Sequence, residues 1–276
     1  MTKQEHSKIP EAILARKGAV RATSVPVEVI ALLELGDIES VNLVEWQTMD
    51  QERLLANLWP KISKDLSLPP SLLEKTGIKG IREVATILKN KFGDGCHENP
   101  IMSVLSNHSS DMVRCWAVYW IGVSTFDSLE QKLDEVKRFA MDEHFGVREI
   151  AWLAVRVDVS DQLEHALLLL APWALDESDY VRRFASEVTR PRGVWCKHIE
   201  SLKKNPELAI RILQPLRSDP SRYVQASVGN WLNDASKSAP EWVEKVCEQW
   251  LCESKTPETS WIVQRALRTL RGKSSS

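Results

Sequence analysis

DPSRYVQASVGNWLND, residues 219–234, reads as one helical unit with its own start signal. Asp219, Pro220 and Ser221 make a turn and an N-cap, since a side-chain oxygen there satisfies a free backbone N–H and proline fits a first helical turn. Tyr223, Val224, Ser227, Val228 and Trp231 then recur at three-to-four spacing and give one buried stripe. The apolar run before it, Leu208 to Leu216, supplies the facing layer. A helix pair of this size cannot bury its second face alone, so it must stack on neighbours.

The neighbours are visible in the chain. SSDMVRCWAVYWIG (109–122), DEHFGVREIAWLAV (142–155), DESDYVRRFASEV (176–188) and TPETSWIVQRALRTL (256–270) repeat the polar turn, the valine and the amphipathic run. Their valines, Val113, Val147, Val181, Val224 and Val263, stand 34, 34, 43 and 39 residues apart. That period fits two helices and two turns, as in HEAT-type arrays. Prolines 100, 172, 191, 220, 240 and 257 fall between helices, and strand signals are absent. The expectation is an all-α, HEAT-like repeat α-solenoid with a concave groove, a single domain over 26–273 made of five or more helix pairs. Asp50 to Ile62 and Pro70 to Phe92 read as further helices, residues 1–25 as a loose tail, and the closing GKSSS as a frayed end.

The 276 residues are 43% hydrophobic and 27% charged, which excludes a disordered chain. No apolar run spans a bilayer, the longest (Ala166 to Ala174) being broken by Pro172, and MTKQEHSK at the start is no secretory leader. A cytoplasmic protein with no membrane partner is expected, as a monomer. The five cysteines form no CxxC pair, and Cys96 beside His97 offers two ligands where structural zinc takes four. Reduced thiols, no metal and no cofactor are expected. The net charge of −2 hides an asymmetry: from Val181 to Lys273, 17 Lys and Arg face 10 Asp and Glu. A basic working face on an acidic scaffold follows, although charge-rich helical surfaces are ordinary and a protein–protein scaffold stays open.

Gly-rich phosphate loops, HExxH, GxSxG and Cys–His nucleophile signatures are all missing. One dense polar stretch remains, VRRFASEVTRPRGVWCKH, from Val181 to His198. Arg183 and Glu187 lie four apart on one helical face, with Arg190 a turn later, and Pro191 then breaks the helix. Arg190, Arg192, Trp195, Lys197 and His198 are left clustered at a repeat junction. Cations with an interleaved aromatic suit a nucleic-acid backbone and a flat base. The same residues also fit a plain surface ion pair with Trp195 packed between repeats.

At this block the chain resembles the DNA alkylation repair family, the HEAT-like-repeat DNA glycosylases of the AlkC/AlkD type. NLVEWQTMDQ, HFGVREIAW, RRFASEVTRPRGVW and DPSRYVQASVGNWLNDASK carry the resemblance. It is closer to the AlkC type, whose members have an SEGTRPRLPW-like block where this chain has SEVTRPRGVW; Val188 replaces a glycine, and Gly193-Val194 a Leu-Pro pair. The resemblance implies Glu187 and Glu149 as active-site carboxylates, with Arg183, Trp195 and Trp152 at the DNA; the charge of the stretch after Val181 adds Arg190, Arg192 and Lys197, and Arg148 completes the expected DNA-binding set. It implies excision of positively charged N-alkylated bases, such as 3-methyladenine, from double-stranded DNA. A cationic base is a good leaving group, and a carboxylate stabilises the oxocarbenium-like sugar it leaves. A non-catalytic DNA-binding member of the same fold is the alternative. Because a groove carboxylate holds no core together, Glu187→Gln is expected to leave folding intact.

Overall fold

The computed structural model describes residues 9–62 and 77–273, and every regular element among them is helical. Residues 70–76 of the expected Pro70 helix, 1–8 of the expected tail and 274–276 of the frayed end lie outside the described residues. The chain divides into two compact units at Thr125/Phe126, a boundary inside the expected 26–273 domain.

The first unit contains α1 (Glu11–Leu14), α2 (Val27–Leu35), α3 (Leu43–Thr48), α4 (Gln51–Ile62), α5 (Gly77–Phe92), α6 (Pro100–Ser106) and α7 (Asp111–Val123). Its core is built on α7, where Trp116 and Trp120 are fully buried and Trp116 Nε1 donates to Gln51 Oε1. Within the segment expected as a tail, Arg16 pairs with the buried Glu45 at 2.8 Å. Asn42 starts α3 by accepting from Glu45 N, while the Glu45 carboxylate accepts from Val41 N. This reciprocal arrangement satisfies two otherwise orphaned donors.

The second unit holds α8 (Leu129–Ala140), α9 (Phe145–Asp161), α10 (Leu163–Leu170), α11 (Asp179–Val188), α12 (Glu200–Lys204), α13 (Ile210–Leu213), α14 (Arg222–Ser236), α15 (Pro240–Glu253), α16 (Pro257–Ala266) and α17 (Arg268–Lys273). The second helices of successive repeats, α9, α11, α14 and α16, pack in series. The repeat valines Val147, Val181, Val224 and Val263 are all buried. The expected facing run Leu208 to Leu216 is divided between a 3-10 turn and the short α13, yet Ile212, Leu213 and Leu216 remain buried.

The residue after three of these valines, Val147, Val181 and Val224, has a shared task. Arg148 Nη1 donates to the carbonyls of Asp142 and Glu143, and Arg182 Nη1 to those of Asp176 and Glu177. Gln225 does the same for Asp219 O, at 2.7 Å. The turn aspartates complete the device: Asp142, Asp176 and Asp219 each accept from the backbone N–H two residues on. Each inter-helix turn is thus tied from both ends by side chains, which satisfies backbone groups at a helix start. Ser221 is the N-cap by position but receives no side-chain cap bond, so Asp219 takes the role expected there.

Candidate active site and nucleic-acid interface

Arg183 and Glu187 sit on the inner side of α11, and both are buried there. Arg183 Nη2 contacts Glu149 Oε1 of α9 at 2.5 Å and Glu187 Oε2 at 3.6 Å. Glu187 Oε1 takes Arg190 Nη1 at 2.6 Å, and Arg190 also reaches Asp234 of α14 at 2.7 Å. Lys237 closes the series on Asp234 at 3.1 Å. The result is an alternating row of three carboxylates and three cations, Glu149, Arg183, Glu187, Arg190, Asp234 and Lys237.

Exposure differs along the row. The Glu187 side chain is 5% exposed, while that of Glu149 is 33% exposed. Burial pushes the Glu187 carboxyl up, but the Arg183 and Arg190 guanidiniums, with the Ser227 hydroxyl at 2.7 Å, outweigh it and hold the group below the usual carboxylate range. Burial likewise opposes the charges of Arg183 and Arg190, yet their carboxylate partners keep both above the ordinary arginine value. Glu187 is therefore ionised and fully engaged. Glu149 is fixed differently: one oxygen meets Arg183, the other accepts from Trp152 Nε1 at 2.8 Å, and a third of the side chain faces solvent. Trp152 itself is buried and serves as the donor that aims Glu149.

Arg148 lies 4.2 Å from the Tyr180 ring centroid and 5.2 Å from that of Tyr223, and Arg183 lies 4.6 Å from Tyr223. These contacts place the expected Arg148 beside the row, with its donors already on turn carbonyls. Arg190 is buried and divided between two carboxylates, so it presents no charge to solvent. Arg192 donates to Asp234 O and Ser238 Oγ. Lys197 and His198 are exposed on the loop after α11, and Trp195 on that loop is 58% exposed at φ 61°.

Several functional candidates were not singled out from the sequence. Tyr180, Tyr223, Ser227 and Asp234 complete the row, and the last three stand within the quoted 219–234 unit. A second group is Arg222, Arg265 and Arg268. Arg222 and Arg265 flank the Trp261 ring at 4.3 and 5.4 Å. Arg265 and Arg268 bond the neutral amide oxygens of Asn230 and Asn233. None of the three has a carboxylate within ion-pair distance among the described residues. Burial and then the like charges of Arg268 and Arg190 press Arg265 below the usual arginine value. Gly229 permits this packing, because a Cβ there would lie 2.9 Å from Arg265 Cβ.

Residues 157–270 match the family model described as DNA alkylation repair enzyme. Uncharacterized protein YhaZ of Bacillus subtilis is 40% identical over 128 residues, 46% of this chain and 35% of YhaZ. The structure of Pseudomonas fluorescens alkylpurine DNA glycosylase AlkC bound to DNA containing an abasic site analog is 27% identical, with a TM-score of 0.53 over 84% of this chain and 53% of AlkC. The chain thus spans about a third of YhaZ and about half of AlkC. AlkD2 from Streptococcus mutans shares the fold at TM-score 0.59 and 23% identity, over 79% of this chain and 97% of AlkD2. Residues 157–270 are thus similar in sequence to the DNA alkylation repair enzyme family, and most of the chain is similar in fold to AlkC and AlkD2.

Proposed function

We propose that the protein is a DNA glycosylase that hydrolyses the N-glycosidic bond of cationic, N-alkylated bases in duplex DNA. Glu149 carries this reading: it is an oriented carboxylate with one face in solvent, at the open end of an otherwise neutralised row. An N3- or N7-alkylated purine already bears the positive charge that makes it leave. As the C1′–N bond breaks, the bonding pair goes to the base, which departs neutral, and the sugar becomes oxocarbenium-like. A carboxylate beside C1′ stabilises that cation, and water adds to C1′ with loss of a proton. Glu187 supports the reading from behind, by holding Arg183 and Arg190 in place.

Duplex DNA is the partner that suits Arg222, Arg265 and Arg268, whose charges no carboxylate among the described residues cancels, with Trp261 between the first two. Phosphates replace their counterions, which makes such binding steeply salt-dependent. The direct test is to incubate methylated duplex DNA with the protein and quantify 3-methyladenine and 7-methylguanine set free. Release by the wild type, with a loss of about 10²–10³-fold in Glu149→Gln, is expected. A wild type that binds duplex but frees neither base would favour the non-catalytic reading, to which the complete engagement of Glu187 lends some weight.

A further inference from the structure

Arg156, on α9, is 2% exposed, and no carboxylate among the described residues lies within ion-pair distance of it. A buried guanidinium without a carboxylate is costly, and burial indeed presses its pKa down. All its hydrogen bonds to the backbone go to one loop. Nη1 donates to Val188 O at 2.6 Å and Nη2 to Arg190 O at 2.5 Å, at the loop's start. Nε and Nη2 donate to Lys197 O at 3.4 and 3.3 Å, at its end. Ile199 N bonds Pro191 O at 3.0 Å and closes the same loop.

The loop is wrapped on this guanidinium. A Cβ at Gly193 would lie 3.1 Å from Arg156 Cζ and 2.4 Å from Cys196 Sγ, so only glycine fits the wrap as it stands. Two residues on, Trp195 is the sole non-glycine residue at positive φ among the described residues, and its indole is 58% exposed. A bulky side chain gains nothing locally from either condition. Both are imposed by the closure of the loop, which holds a flat apolar ring out to solvent.

We infer that Arg156 is a positioning residue that sets Trp195 for stacking on a nucleobase or sugar at a damaged site, without itself touching DNA. The inference rests on the glycosylase reading for what the ring meets, and on the loop geometry for who holds it. Arg156→Lys keeps the charge but cannot tie both ends of the loop. Base release by Arg156→Lys and by Trp195→Ala is expected to fall by a similar factor, about ten- to a hundredfold, the worth of one base–aromatic stack. The double variant is expected to fall no further, and the affinity of Arg156→Lys for undamaged duplex to stay within about twofold of wild type, since stacking at the lesion and phosphate contacts are separate. Amide hydrogen exchange over residues 188–197 is expected to accelerate in Arg156→Lys with or without DNA. Should Arg156→Lys fail to fold, Gly193→Ala collides with Cys196 Sγ and crowds Arg156 Cζ, disturbing the same wrap, and carries the same expectations. Losses that multiply in the double variant, or an equal loss of undamaged-duplex binding, would overturn the inference. So would loop exchange that stays at the wild-type rate. A wild type that frees no base, with the loop exchange behaving as expected, would instead sink the glycosylase reading and leave Arg156 as the residue that holds the loop.

Discussion

Glu187→Gln removes one charge from the middle of the row and leaves its shape. The carboxylate takes Arg190 at 2.6 Å, Ser227 Oγ at 2.7 Å and Arg183 at 3.6 Å. A glutamine can keep one oxygen on Arg190, but its amide then points N–H groups toward the Ser227 hydroxyl, which donates to the native carboxylate, and toward the Arg183 charge. Removing one member of a buried ion pair costs about 3–5 kcal/mol. Neither arginine is stranded, because Glu149 still holds Arg183 and Asp234 still holds Arg190. The cost therefore belongs near the lower end, about 3 kcal/mol, which for a domain of this size lowers the melting temperature by about 6–12 °C. Folding is thus not expected to be indifferent to this change, contrary to the view of Glu187 as a simple groove carboxylate. The pH dependence follows from the depressed folded-state pKa of Glu187. Its stabilisation is fully present above the unfolded carboxylate value, about 4.3, and is lost as pH falls through the lower folded value. Thermal unfolding followed by circular dichroism should show a constant gap between wild type and variant at neutral pH, closing below about pH 4. Glu149→Gln, at a partly exposed pair, should cost no more than about 1 kcal/mol. Equal melting of Glu187→Gln and wild type at neutral pH, or a gap that persists in acid, would refute the reasoning.

Arg265→Ala/Arg268→Ala should weaken duplex binding and flatten the plot of log K against log salt by about 0.9 for each phosphate no longer neutralised. Arg190→Ala should instead lower the melting temperature, because its charge lies inside the row; fluorescence anisotropy across a salt series separates the two cases. Gly229→Ala should cost about 1–3 kcal/mol by overpacking against Arg265. It should also reduce duplex affinity by displacing Arg265 while every cation is kept, which the same anisotropy series would detect.

The repeat was legible because its signal is redundant: five valines at regular intervals, each in a turn–helix context, all prove buried. The residue following the valine taught less than its charge suggested. Arg148 and Arg182 look like cations available to a phosphate, yet each commits Nη1 to the carbonyls of its own turn and Arg182 gives its other donors to Asp219, while Gln225 performs the turn task without charge. Sequence counts a cation wherever it stands, whereas the structure decides whether a carboxylate or carbonyl has already claimed it. That distinction leaves Arg190 neutralised by Glu187 and Asp234, and leaves Arg265 and Arg268 on neutral asparagines, which is why the proposed duplex contact is assigned to the latter pair. Asp234 stands 44 residues from Arg190, so no local spacing rule could pair them. The same logic separates the two glutamates. Glu187 was the more visible because it shares a helix with Arg183, and that proximity is what commits it to the interior. Glu149 reaches the row from the neighbouring repeat, and only a helix packed across it, with Trp152 as donor, leaves its carboxylate both fixed and open to a substrate.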